Sequence, residues 1–239
     1  MYDTDGNILQ AIDDHMLPLL ITSAFSSNTN QSSFEITELG CGTGRNTAKL
    51  ITPGFLPSQV ARLKINALDL SKGMLKIADE RCSEIEGANM HYVDFQQFDA
   101  LQPEKYKHVI EALSGTADMV ISTLVLEHLP VDIFFSIVKK FLGPGGILLM
   151  TNMHSEMGGI SQAGFVDEKT GEKIQGTSYA HTIQEVLQEA RNHGFELIGE
   201  MLERGIEESD IASKVVGQRG RKWVGVKVWF GGVLRRSFE

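Results

Sequence analysis

The spacing of apolar residues divides the chain into segments of helical period and short strand-like runs. Near the start, Ile8, Leu9, Ile12, Met16 and Leu17 share one helical face, which Pro18 perturbs, and His15 falls on the polar side. Residues 26–33 are polar and read as a linker. Strands and helices then alternate. A strand over 34–39 leads into a glycine-rich turn and a helix from about Arg45. A second strand over 64–70 precedes a helix that Ser71 caps, with Met74, Leu75, Ala78, Cys82 and Ile85 as its apolar residues. Residues 90–93 form a third strand, and Pro103 starts the next helix. The run 119–124 is unbroken in hydrophobicity, as a buried parallel strand requires.

Farther along, a helix near Pro130 carries Ile133, Phe134, Ile137, Val138 and Phe141, and Gly143-Pro144 ends it. Strands follow over 146–150, 195–201 and 223–234. Thr182 and Glu185 spell a capping box for a helix closing at Gly194. Residues 154–180 show no clear period. The alternation predicts an α/β, Rossmann-like three-layer sandwich with a seven-stranded, mainly parallel sheet. The last strand pair lacks a helical connector and is expected to be antiparallel.

Composition narrows the function classes. A chain of 239 residues fits one domain of the larger α/β kind. Cys41 and Cys82 stand in no metal-like spacing and read as reduced thiols, which suggests a cytoplasmic setting without a bound metal. No basic N-terminus leads into an apolar run, so no secretory signal is expected, and no stretch reaches the ~18 apolar residues of a membrane span. The net charge of −9 argues against a nucleic-acid partner. From Lys214 onward seven basic residues accompany one acid, and they read as a solvated basic rim.

The candidate chemistry begins at Glu38-Leu39-Gly40-Cys41-Gly42-Thr43-Gly44, between the first strand and its helix. Glycines at alternate positions allow a tight turn and close approach of a ligand to the backbone. Asp69 ends the second strand, where a carboxylate can accept from both hydroxyls of a ribose. It lies 25 residues after Gly44, against about 20 in dinucleotide folds.

Together these segments resemble class I S-adenosylmethionine-dependent methyltransferases. Glu38–Gly44 is similar to their first motif, and Asp69-Leu70-Ser71-Lys72-Gly73-Met74-Leu75 to the next. Asp94-Phe95, Asp118 through Leu129, and Leu142–Gly146 continue the likeness in order. The resemblance implies S-adenosylmethionine as cofactor, with Glu38, Gly40, Cys41 and Gly42 toward its methionine end and Asp69 on the ribose. It further implies Leu70 and Met74 beside the adenine, Asp94 and Phe95 at its amine edge, and Thr123 and Leu124 near the transferring methyl. The implied organisation is one methyltransferase domain over 1–239. Residues 1–33 form an N-terminal helical cap, 34–153 the cofactor core, 154–180 a substrate-cap insertion, and 181–239 the C-terminal helix and strand pair.

Methyl transfer needs a base only where the acceptor must lose a proton. His128 and His154 are the expected catalytic residues; His181, Glu127 and Tyr179 are further candidates for the base. Met157, Phe165, Tyr179 and His181 are expected to face a small-molecule substrate, in natural-product metabolism among other settings. The alternative is a cyclase, an isomerase or an inactive partner subunit on the same fold. A nicotinamide-dependent oxidoreductase would want Gly-x-Gly-x-x-Gly, and Gly44 comes one position early. Oligomeric state is left open.

Overall fold

The computed structural model describes residues 6–26, 33–58, 60–86, 91–160, 164–166, 173–175 and 178–238, without side chains for the two short segments between 161 and 177. In chain order, α1 spans Ile8–Ser26, β1 Ser33–Leu39, α2 Arg45–Ile51, β2 Arg62–Asp69, α3 Lys72–Ser83 and β3 His91–Gln97. There follow α4 Lys107–Leu113, β4 Ala117–Thr123, α5 Val131–Phe141, β5 Leu142–Met153 and α6 Ser155–Ile160. The chain continues with β6 Gly164–Val166, β7 Lys173–Gln175, α7 Ile183–Asn192, β8 Phe195–Gly205, α8 Glu208–Ala212 and β9 Lys227–Arg236.

Seven strands form one sheet in the order β3-β2-β1-β4-β5-β9-β8, and β6 and β7 pair as a separate ribbon. Strands β1 to β5 are mutually parallel, whereas β9 runs antiparallel to both neighbours. The last strand is therefore antiparallel, as expected. Its connection differs from the expectation, since α8 and a 3₁₀ turn over Gln218–Trp223 lie between β8 and β9. The strand inserts between β5 and β8, so its direction follows from its neighbours and not from a bare hairpin.

Both faces of the sheet are covered, and alternate strand residues enter different cores. Ile147 and Leu149 of β5 pack in the layer with Phe34, Ile36, Trp229 and α1; Leu148 and Met150 pack with α4, α5 and α7. Local signals set the helix boundaries. The Ser71 hydroxyl accepts from the Met74 amide at the start of α3, and Thr182 and Glu185 exchange both bonds of the capping box at α7. Pro18 does not end α1, which runs on to Ser26 with His15 exposed. Lacking its own amide hydrogen, Pro18 sits on the exposed side while Leu17, Leu20 and Ile21 hold the buried side.

β3 corrects the expected boundaries in a way that matters for the site. It extends to Gln97, four residues past the expected end, because an edge strand tolerates polar positions such as Gln96 and Gln97. Asp94 therefore falls in mid-strand.

Candidate functional site

Strand order reverses between β1 and β4, where a crevice opens beyond the carboxyl ends of the parallel strands. A cavity of about 410 Å³ occupies that place. Leu39–Thr43, Asp69–Ser71 and Met74 line it from the β1, β2 and α3 side, and Thr123–Val125 from β4. The size suits a single organic ligand.

The glycine loop is shaped by its backbone. Gly40, Gly42 and Gly44 all have left-handed φ angles, at 77°, 56° and 74°. A Cβ on Gly40 would come within 2.3 Å of Val125, and one on Gly44 within 2.9 Å of Ala78. Gly42 has nothing within 4 Å of that position, so its open side is free for a ligand. The amides of Gly40 and Cys41 donate to the Leu68 carbonyl and fasten the loop to β2.

Asp69 completes the cradle. One carboxylate oxygen accepts from the Gly42 amide and the other from the Ser71 amide, both at 2.8 Å. A carboxylate offers about four lone-pair positions. Each oxygen thus keeps one for an incoming hydroxyl, which fits a ribose. Leu70, 57% exposed, and Met74 add apolar surface beside it.

Leu124 follows β4 with φ 56°, a conformation L-residues adopt at a cost of about 1–3 kcal/mol. Its amide donates to the Thr151 carbonyl at 2.9 Å, which holds the turn while the residue lines the cavity. The Asn46 amide nitrogen donates to the Thr123 hydroxyl at 2.8 Å and braces that wall. The buried Glu127 and the exposed His128 also line the cavity.

Several expected site residues lie elsewhere. Asp94 accepts from the Gln96 side chain at 2.7 Å within β3, and Phe95 packs against the core. Asp99, just past the true end of β3, lines the cavity with Phe98, Ala100 and Leu101. Its two carboxylate oxygens accept from the Leu101 amide and the Gln102 side chain, each at 2.8 Å. Glu38 is buried beneath the loop, where it accepts from the Thr47 hydroxyl; burial pushes its carboxyl up to about 7. Cys41 lines the cavity, but burial raises its thiol and keeps it protonated.

His154 is committed on both ring nitrogens. Nε2 sits 2.9 Å from Glu203 Oε1, and Nδ1 accepts from the Glu156 amide at 3.1 Å. The clasp joins the end of β5 to β8 and does not line the cavity. Met157 is buried in the core. His181 Nε2 donates to the Leu129 carbonyl at 2.8 Å, and its ring stacks on Tyr179. The Tyr179 amide donates to the Glu127 carbonyl. These two brace the turn behind the cavity and do not line it. The Phe165 side chain lies outside the described residues.

The N-terminal helix, expected as a cap, supplies a wall whose residues the sequence reading did not name as site residues. Asn7, Leu9 and Gln10 of the α1 end line the cavity. Asp13 anchors that helix and is fully buried. It accepts from Arg45 at 2.6 Å, Thr151 at 2.5 Å and Trp229 at 3.0 Å. An acid flanked by apolar residues on a helical face was a legible signal of such an anchor, but its partners lie 32 to 216 residues away.

A glycine loop, a strand-end carboxylate and an apolar crevice at this switch point define a fold and site of the methyl-transferring kind, and the comparisons place the chain among known proteins. Residues 37–148 match the family described as "Methyltransferase domain". The chain is 41% identical to an uncharacterized methyltransferase of Emericella nidulans, over 97% of this chain and 85% of the relative. It belongs to the class I S-adenosylmethionine-dependent methyltransferases. Its fold is similar to that of an S-adenosylmethionine-dependent methyltransferase of Mesorhizobium loti, with TM-score 0.57 and 18% identity over 85% of this chain and 91% of that one. It is similar also to geranyl diphosphate C-methyltransferase of Streptomyces coelicolor, solved with S-adenosyl-L-homocysteine. That match has TM-score 0.63 and 11% identity over 95% of this chain and 80% of that one.

Proposed function

We propose that this S-adenosylmethionine-dependent methyltransferase acts on a small organic acceptor held between the cofactor loop and the α1 end. The spare lone pairs of Asp69 beside the open face of Gly42 carry the reading of the cofactor end. The cofactor supplies an electrophilic methyl when bound. Asp69 holds the ribose. Leu70 and Met74 flank the adenine, and Asp99 takes the place at its amine edge expected for Asp94. Gly40, Cys41 and Gly42 receive the methionine end, and Glu38 supports them from below through Thr47. Thr123 and Leu124 face the transferring methyl, where holding acceptor and methyl in line is worth about 7–11 kcal/mol.

Leu9 and Gln10 add a mixed apolar and amide surface to the cavity wall, which favours an organic molecule over a polyanion. The geranyl diphosphate enzyme of similar fold acts on a small molecule by its name. The charge of −9 speaks against nucleic acid, and the two buried thiols support a cytoplasmic setting. No helix among the described residues is long and apolar enough to cross a membrane. A cyclase or an inactive subunit is not favoured beside a relative of 41% identity named a methyltransferase.

Calorimetry with S-adenosylmethionine tests the site. Asp69→Ala removes two ribose hydrogen bonds to a charged acceptor, at ~1.5–3 kcal/mol each before compensation. Unchanged affinity in that variant would remove Asp69 from the site. Incubation with metabolites and labelled methyl donor then identifies the acceptor.

A further inference from the structure

Glu127 differs from the other carboxyls that line the cavity. Asp69 and Asp99 each use both oxygens on donors of the fold. Glu127 uses one. Its Oε2 accepts from the Met153 amide at 3.3 Å, and Oε1 accepts no hydrogen bond among the described residues. His128 Nε2 lies 4.0 Å from Oε1. The Glu127 side chain is 10% exposed and the His128 ring 54% exposed, so the pair runs from the cavity wall to bulk water.

The backbone on either side of this carboxyl is fixed. The Glu127 amide donates to Asn152 and its carbonyl accepts from Tyr179. The titratable groups around it are few. His128 shares its turn, Asp13 reaches it from α1 but is neutralised by Arg45, and His181 stands beyond Tyr179 with Nε2 bonded to the Leu129 carbonyl. β5 offers only the Met153 amide and Asn152. Burial raises the Glu127 carboxyl above the ordinary range, and His128 and the Met153 amide oppose the shift.

Resting on the proposed site, we infer that Glu127 Oε1 accepts the proton of the methyl acceptor and His128 relays it to solvent. In the displacement the acceptor's lone pair forms the new bond to the methyl carbon. The carbon–sulfur bond breaks with its electrons remaining on sulfur, and the acceptor's proton passes to Glu127. The substrate class is then a molecule whose nucleophilic oxygen or nitrogen carries a hydrogen. Glu127 must be ionised to act, and a positive charge placed in the cavity favours that form. The charged methyl donor therefore readies the base on binding, whereas its demethylated product, with neutral sulfur, does not.

Calorimetry of S-adenosylmethionine and S-adenosylhomocysteine at pH 7, in buffers of different ionisation enthalpy, reads this coupling without turnover. The donor should release protons that the product does not, and its affinity relative to the product should rise with pH. Glu127→Gln keeps the acceptor for Met153 and should abolish both effects while still binding the product. His128→Gln should retain the release. Equal proton counts for the two ligands in the wild type overturn the inference, as does a release that persists in Glu127→Gln. Loss of the release in His128→Gln alone assigns it to the imidazole and also overturns the inference, even where Glu127→Gln does not fold. If neither ligand binds, the site reading fails as well; if both bind and Asp69→Ala weakens them without proton linkage, only Glu127 is wrong. With an acceptor in hand, Glu127→Gln should lose on the order of 10²–10⁴-fold in turnover.

Discussion

Glu38 and Asp13 are both buried carboxyls, and their surroundings treat them differently. Asp13 meets a guanidinium, a hydroxyl and an indole N–H. Glu38 meets one hydroxyl, and burial holds it near 7 against 4.5 unperturbed. Below pH 4.5 folded and unfolded chains both keep that proton, so Glu38 leaves stability unchanged. Between 4.5 and about 7 the unfolded chain has released it and the folded chain has not, so stability falls as pH rises. Above about 7 the penalty is complete, on the order of 3 kcal/mol. Glu38→Gln should therefore gain stability relative to the wild type at pH 8 and much less at pH 5. Urea titrations at the two pH values check this, and a pH-independent difference would contradict it.

At the scale of elements, α1 is held to the sheet by Asp13 at one place and by apolar packing along the rest. Asp13→Ala strands two buried donors and uncovers Arg45, which among the described residues keeps Asp14 as its remaining ion-pair partner. The loss should reach about 3–5 kcal/mol, as when one member of a buried pair is removed. It should also weaken cofactor binding, because Asn7, Leu9 and Gln10 line the cavity from the same helix. Denaturation and calorimetry on one variant read both effects. Met157 of α6 belongs to the core, so Met157→Ala should cost about 2–5 kcal/mol while cofactor affinity stays near wild type. Thr182→Ala removes the α7 cap and should cost about 1 kcal/mol, a shift visible in the urea midpoint.

For the whole molecule, the basic C-terminal stretch is solvated as expected, with Lys214, Arg219, Arg221, Lys222 and Lys227 exposed, and part of it is also tied into the fold. Lys227 pairs with Glu203, and Arg236 donates to the Lys139 and Leu142 carbonyls. These charges serve the joint between β9 and its neighbours. With a net charge of −9, the protein should not retard duplex DNA or RNA at low salt. A tight complex that dissolves as salt rises would show that a basic face operates after all.

Local chemistry made much of the molecule legible. The capping residues Ser71 and Thr182 and the left-handed glycines of the loop act within a few residues of themselves, and Asp69, although it holds Gly42 from 27 residues away, stands at a strand end that the apolar pattern marks. The alternation of strands and helices likewise fixed a layered α/β fold, because apolar period depends on which faces are buried. The end of β3 was not legible, since polar residues continue an edge strand as long as neighbouring β2 supplies hydrogen bonds. That shift moved the cavity acid from Asp94 to Asp99. Nor could spacing separate His154, tied to Glu203 across 49 residues, from a free catalytic histidine, or show that α1 closes the cavity through Asp13. Sequence determined most of the sheet's strands, its capped helices and the glycines of the cofactor loop, because their causes are short-range. Tertiary structure alone decided which side chains face the cavity, because that depends on partners brought together only when the sheet assembles.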